Sequence, residues 1–404
     1  MARAGLIVVF VIGTATAVLG YPSYTEMFDD IPDLVSRSTL VCKGEVVYAP
    51  EVMIVDNPKD QVATATVSMD RCFKGHAKVV RVIFDAFTTG GGHSGGPLFR
   101  VTTGDYDLFF LKLQGDNFVA VNNRSGALPI SRKMGPSAEG SDSLTQLELD
   151  FKAGLNDPDP ELVLASICLL GAIKHLHSTS ELLALLDSAD LLQKTYLWEA
   201  LLKLKTYSVL PAVAKFFADQ PDPPIELFLP RDRVFAMEHR LFHQISRIQD
   251  ASALPYLQQF ALAPNPRLRM NALQALRSIE DPRTAPAFLK ALEDDDSDNA
   301  FSAMQGLFAL AGGGEIDWVP TWEDFRDDQP FYAAKCREWW QAEGRQKTRA
   351  RFSKWVRPGW RPVESRWIAE RPDSTSSWRC FAMVPGENAT GTTDPTKKSD
   401  CTVH

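Results

Sequence analysis

The stretch NPRLRMNALQALRSI, residues 265–279, decides how this chain folds. Leu268, Ala272, Leu273, Leu276 and Ile279 recur at three- and four-residue steps, the period of one buried helix face. The pattern returns: Pro255, Ala272, Leu273, Leu276 and Ile279 shift by 31 residues onto Pro286, Ala303, Met304, Leu307 and Leu310. It also aligns without a gap, at an offset of 106, with DPELVLASICLLGAI at 159–173, matching Leu268 with Leu162 and Leu276 with Leu170. Similarity at a fixed period is the signature of stacked helical units that bury their apolar faces on one another, an α-solenoid.

Outward from that stretch, further helical patterns run from LELDFKAGL (147–155) to AFSAMQGLFAL (300–310). Turns carrying proline (NDPDP, QPDPP, APNP, EDP) separate them, and proline fits a helix's first turn. The expectation is four to five units over residues 144–314, closed by Gly312-Gly313-Gly314. Residues 315–344 (WVPTWEDF, FYAAKCREWWQAEG) read as a helical, Trp-rich cap over the last unit.

Upstream, residues 38–132 read as strands: LVCKGEVVYA, QVATATVSMDRCF, KVVRVIFDAF, YDLFFLKL and FVAVN, with a turn at Gln114–Asn117. Five short strands with no helix between them suggest a small barrel or sandwich. Residues 21–37 read as a connector and KMGPSAEGSDS (133–143) as a linker. The fold class expected is therefore a small N-terminal β-barrel of the OB type followed by a C-terminal α-solenoid.

Residues 1–20, MARAGLIVVFVIGTATAVLG, have the design of a cleaved secretory signal: Arg3, an apolar run from Gly5 to Leu19, then small residues. Fifteen apolar residues fall short of the roughly 20 a membrane helix needs. Cleavage after Ala17 or, by preference, Gly20 would leave an extracytoplasmic protein without an integral span. Export permits disulfides, and two pairs are candidates: Cys42 with Cys72, opposite each other across a hairpin centred near Asn57, and Cys380 with Cys401 in the tail. Cys168 and Cys336 read as small buried hydrophobes.

The formal charge of −8 conceals an asymmetry. Residues 345–379 hold ten Lys or Arg against three acids, a balance of +7 that leaves −15 elsewhere, and eight of nine tryptophans lie beyond residue 317. Within the basic, then polar tail (345–404), Trp355, Arg357, Trp360, Arg361 and Trp367 are the candidate partner contacts, toward an anionic envelope polymer or the acidic repeats; the favoured alternative is that these tryptophans wrap back as an irregular cap over the solenoid. The acidic total argues against nucleic acid as a partner.

Motifs for chemistry are sparse. GGGHSGGPLF (90–99) echoes the nucleophile loop of trypsin-like proteases, yet His93 replaces the expected Asp before Ser94, and too little chain precedes it for that fold. His239 and His243 share a helix face but lack the intervening Glu and a third ligand. His175 and His177 read as residues closing a helix before a Ser-Thr-Ser turn, complementing its dipole. The run Glu293–Asp296 lacks the alternating ligands and central Gly of a calcium loop and reads as a solvated turn. No phosphate loop, dinucleotide fingerprint or CxxC occurs, so no catalytic, cofactor or metal residue is assigned.

Two family resemblances follow from these residues. SRSTLVCKGEVV, ATATVSMDRCFKG, GGPLFRVTTGDYDLFFLKL and the FVAVN strand resemble the netrin-like family of OB-type barrels shared with tissue inhibitors of metalloproteinases. The inhibitory device of that family is an N-terminal Cys, whereas this mature chain would begin at Tyr21 or Val18, so inhibition is not implied. The segment 144–314 resembles HEAT and armadillo-type repeats. Together they imply an exported, non-enzymatic binding or scaffold protein that takes a protein or peptide on the solenoid. The alternatives are an envelope enzyme or regulator acting through Ser94 and a carbohydrate or cell-envelope binder.

Overall fold

The computed structural model describes residues 30–49, 62–85, 101–121, 126–137, 140–219, 233–313 and 316–353. Six strands build the N-terminal part: β1 (Leu40–Tyr48), β2 (Val62–Lys74), β3 (Val79–Asp85), β4 (Tyr106–Gln114), β5 (Asn117–Ala120) and β6 (Ala127–Pro129). They follow the order β1-β2-β3-β5-β4, and β1 also pairs with β4, which closes a five-stranded barrel with β6 added along β4. Every pairing is antiparallel except β3 with β5. At Gly44 a Cβ would lie 2.3 Å from the Ser68 carbonyl oxygen, so only glycine lets β1 and β2 approach there.

Period-2 alternation splits the barrel's apolar residues between two cores. Leu40, Cys42, Val46, Val67, Val82, Phe109 and Leu111 fill the interior. Val41, Leu108 and Phe110, on the opposite faces of β1 and β4, join the helical core. Both faces of these strands are covered, which is why YDLFFLKL reads as one apolar run rather than an alternation. The outer cover includes helix α1 (Ile31–Arg37), within the stretch read as a connector; Asp30 caps it and Ile31 and Leu34 are fully buried.

Set into this apolar joint between barrel and helices is an ionic cluster. Asp150 of α2 (Ser143–Gly154) is buried, with Lys43 Nζ of β1 2.6 Å from one carboxylate oxygen and Arg71 Nη1 of β2 2.9 Å from the other. Lys43 also donates to the Lys133 carbonyl at 2.8 Å and Arg71 to the Gly135 carbonyl at 2.9 Å. Residues 133 and 135, within the stretch read as a linker, are therefore pinned. Burial pulls Lys43 below the ordinary lysine pKa, a shift that Asp150 opposes.

Beyond α2 come long helices α3 (Pro160–Ala172), α5 (Leu191–Lys203), α7 (Arg233–Ser246), α9 (Pro266–Ile279) and α11 (Ser297–Leu310). They alternate with shorter ones: α4 (Thr179–Leu185), α6 (Leu210–Asp219), α8 (Leu254–Phe260) and α10 (Ala285–Ala291). Each long helix packs on the next, from α3 to α11. A 3-10 turn introduces each short helix, starting at residues 176, 207, 251 and 282. The step is 31 residues except between the second and third, where it is 44; the thirteen extra residues fall between the start of α6 and His243 of α7. Three steps of 31 plus these thirteen give the offset of 106.

Four of the long helices, α3, α5, α9 and α11, start where short polar side chains cap them: Asp159, Asp190, Asn265 and Asp296 each accept from backbone N–H groups of the first turn. Gly312 (φ 95°) and Gly313 (φ 63°) take left-handed conformations and end α11. α12 (Trp322–Asp327) and α13 (Gln329–Trp339) then pack on α11, with Phe308, Trp318 and Trp339 meeting edge to face. After a π-type turn, helix α14 (Arg345–Ser353) follows, so the first residues of the expected tail are helical. Arg351 holds α14 to the array through the Ala309 carbonyl and Glu280.

Two expectations change. Ser178-Thr179-Ser180 is only in part a turn: Ser178 ends the 3-10 turn 176–178 and precedes α4 without a side-chain cap bond, and the other two belong to the helix. β6 is a sixth strand, three residues long and too short to stand out by pattern. Among the described residues no helix is long and apolar enough to cross a membrane.

Candidate functional site

The 31-residue step, with its one insertion, aligns one position of every long helix: Cys168, Glu199, His243, Gln274 and Gln305. After the first helix the position is polar in each unit, and exposure rises along the line, from buried Cys168 and Glu199 through half-buried His243 and Gln274 to exposed Gln305. A face meant only for packing would carry apolar residues here, as the neighbouring Leu273, Leu276, Met304 and Leu307 do. Arg277 Nη1 donates to Gln305 Oε1, so the line also links α9 to α11.

At its buried end the line carries a charged node. Arg240 of α7 donates through Nε to Glu199 Oε2 at 2.8 Å, and Lys203 Nζ lies 2.7 Å from Glu199 Oε1. The Arg240 guanidinium stands 4.0 Å from the Tyr196 ring centroid and reaches Cys168 Sγ of α3 at 3.7 Å. Arg240 thus meets α3 across α5, tying three successive long helices together. Burial alone would raise the Glu199 carboxyl; Lys203 and Arg240 outweigh it and hold the group below its ordinary value. Further along, burial, Arg247 and His239 depress His243, which favours a neutral imidazole.

The acidic run Glu293–Asp296 is consumed by structure. Arg269 grips Asp294 through Nε and Nη2, both at 2.7 Å, and Asp295 at 2.8 Å. Glu293 pairs with Arg337 of α13, and Asp296 caps α11. These bonds stitch α9 to the turn of the next unit.

Of the residues singled out by sequence, Cys42 and Cys72 face each other in register and are joined in a disulfide. Cys168 and Cys336 are buried free thiols, and burial pushes both up to about 12. His239 is exposed beside half-buried His243 on α7. Ser94, His93, Trp355, Arg357, Trp360, Arg361, Trp367, Cys380 and Cys401 lie outside the described residues, as does the signal-like segment.

His175 and His177 differ from expectation. α3 ends at Ala172, Lys174 turns the chain with a left-handed φ of 59°, and both histidines lie beyond the helix, facing Glu148 of α2. These three are the donors among the described residues that stand close enough to hold a metal. Sequence reasoning missed Glu148 because it lies 27 residues before His175, joined to it by no local spacing.

The array therefore consists of repeated pairs, one short and one long helix, at a 31-residue step. Residues 236–307 match the family model for HEAT repeats. That span runs from α7 through α11, the part where the line of polar positions opens to solvent. No curated protein matches the chain. HEAT repeats suggest a protein-interaction scaffold, and no finding favours a catalytic alternative.

Proposed function

We propose that this protein is an exported, non-enzymatic scaffold in which a HEAT-type α-solenoid holds a protein or peptide partner and an OB-like, netrin-type barrel is fused to its first unit. The observation that carries the reading is the line Glu199, His243, Gln274 and Gln305, polar in four successive long helices and open toward α11. Stacked repeats offer extended surfaces that suit a peptide or a partner's helix better than a small substrate. The closed strand order β1-β2-β3-β5-β4 and the Cys42–Cys72 disulfide support the barrel assignment. Export draws its support from the composition of residues 1–20.

The test is affinity capture from the native envelope fraction with three baits: full-length wild type, the full-length double variant Gln274→Glu with Gln305→Arg, and a chain ending at Trp355. Both substituted positions are at least partly exposed, so the fold is retained and the circular dichroism unchanged. The reading predicts a partner retained by wild type and by the shortened chain and lost by the double variant. Retention by the double variant, with loss from the shortened chain, would move function to the Arg/Trp tail.

A further inference from the structure

Glu148 has its two carboxylate oxygens in different surroundings. Oε1 accepts the buried Ser178 hydroxyl, and Lys152 Nζ lies 3.4 Å away. Oε2 faces two imidazoles instead: His175 Nδ1 at 3.2 Å and His177 Nδ1 at 3.8 Å. The donor atoms of all three residues lie within 4.8 Å of one another. Donors bound to one tetrahedral zinc at about 2.0–2.1 Å stand roughly 3.3 Å apart. The His175–Glu148 pair has that spacing, and the two pairs that involve His177 close with a shift of His177, whose side chain is 86% exposed and free to make it.

We propose that Glu148, His175 and His177 form a zinc site, with Glu148 Oε2 and the two Nδ1 atoms as ligands and a fourth position open to solvent. Two imidazoles and one carboxylate suit zinc and related transition ions, whereas calcium and magnesium prefer oxygen donors throughout. The outer contacts fit as well. Ser178 fixes the carboxylate through the oxygen that does not face the imidazoles, the way outer partners orient ligands. The Lys152 ammonium is engaged by Glu181 Oε1 at 2.6 Å and by the His177 carbonyl at 3.1 Å, and its pairing with Glu148 is to Oε1. Its charge is thereby partly compensated beside the incoming cation.

The consequence is mechanical. Glu148 lies two residues before Asp150, which anchors α2 to the barrel through Lys43 and Arg71. A metal bound to Glu148 would clamp the same helix to the turn between α3 and α4, stiffening the joint between barrel and array.

Calorimetric titration of the mature full-length protein with zinc chloride tests the site, with magnesium and calcium chloride as controls and cobalt(II) as a visible-absorption probe. The expected result is one equivalent of zinc, no response to magnesium or calcium, and a tetrahedral cobalt spectrum. His177→Ala, a change at an exposed residue that leaves the fold intact, should weaken zinc binding at least tenfold, and His175→Ala likewise. Lys152→Met, which removes a neighbouring cation, should strengthen it. Absence of saturable binding, binding that survives His177→Ala, or binding lost instead with His239→Ala/His243→Ala would each overturn the proposal.

Discussion

Asp107 is the residue whose chemistry is most at odds with its place. It lies on β4, on the face that carries Phe109 and Leu111 into the barrel interior, and burial, with a smaller contribution from Asp105, raises its carboxyl to about 7. Because the folded-state pKa is raised, the group's support for the fold is complete below the unfolded value of 3.8 and is lost as pH climbs to about 7. A shift of this size corresponds to at most about 4 kcal/mol. Asp107→Asn removes the titration. Urea unfolding of the two proteins in parallel should show the variant gaining on wild type by a few kcal/mol between about pH 3.5 and pH 7.5. A constant difference across that range would mean that Asp107 ionises normally in the fold.

Helices and strands were legible wherever a local rule set them. The 3.6-residue period and the Asp-Pro and Asn-Pro starts marked α3 and α9, because proline fits the first turn and the preceding Asp159 or Asn265 accepts its free N–H groups. The seven residues of α4 offer only two turns, and their Ser-Thr-Ser start looks like a loop, so the helix was read through. The thirteen extra residues in the second interval, between the start of α6 and His243, hid the common period of the array, leaving only the local offset of 31 and the long offset of 106 visible. Side chains that meet across elements leave no trace in local spacing: Lys43 with Asp150, Arg240 with Glu199 and Glu148 with His175 are all of this kind.

Arg240 belongs to the scale of elements because it joins α7 to α5 and α3. Removing one partner of a buried ion pair strands the other charge, at a cost of about 3–5 kcal/mol, while replacing both by apolar groups can be nearly neutral. Lys203 remains to serve Glu199, which places Arg240→Met near the lower end, about 3 kcal/mol. Met at both 199 and 240 should recover most of that loss. Denaturant midpoints of the three proteins decide it: a single variant within about 1 kcal/mol of wild type would show that the node does not hold the three helices together.

At the scale of the whole molecule, the barrel and the helical array share one apolar core through β1, β4, α1 and α2, with the Lys43–Asp150–Arg71 cluster set into it. The array then presents its polar line away from that joint, toward α9 and α11, where the HEAT match lies. Under the proposed function, this division gives anchoring to the first helices and recognition to the later ones. The charge asymmetry of the sequence, +7 in residues 345–379 against −15 elsewhere, belongs mostly to a segment on which this assignment does not depend. Hydrogen exchange of the full chain with and without its captured partner tests the central claim most directly. The account predicts slowed exchange in residues 266–279 and 297–310 on binding, with residues 40–48 and 106–114 unchanged; protection confined to the strands or to residues 354–404 would contradict it.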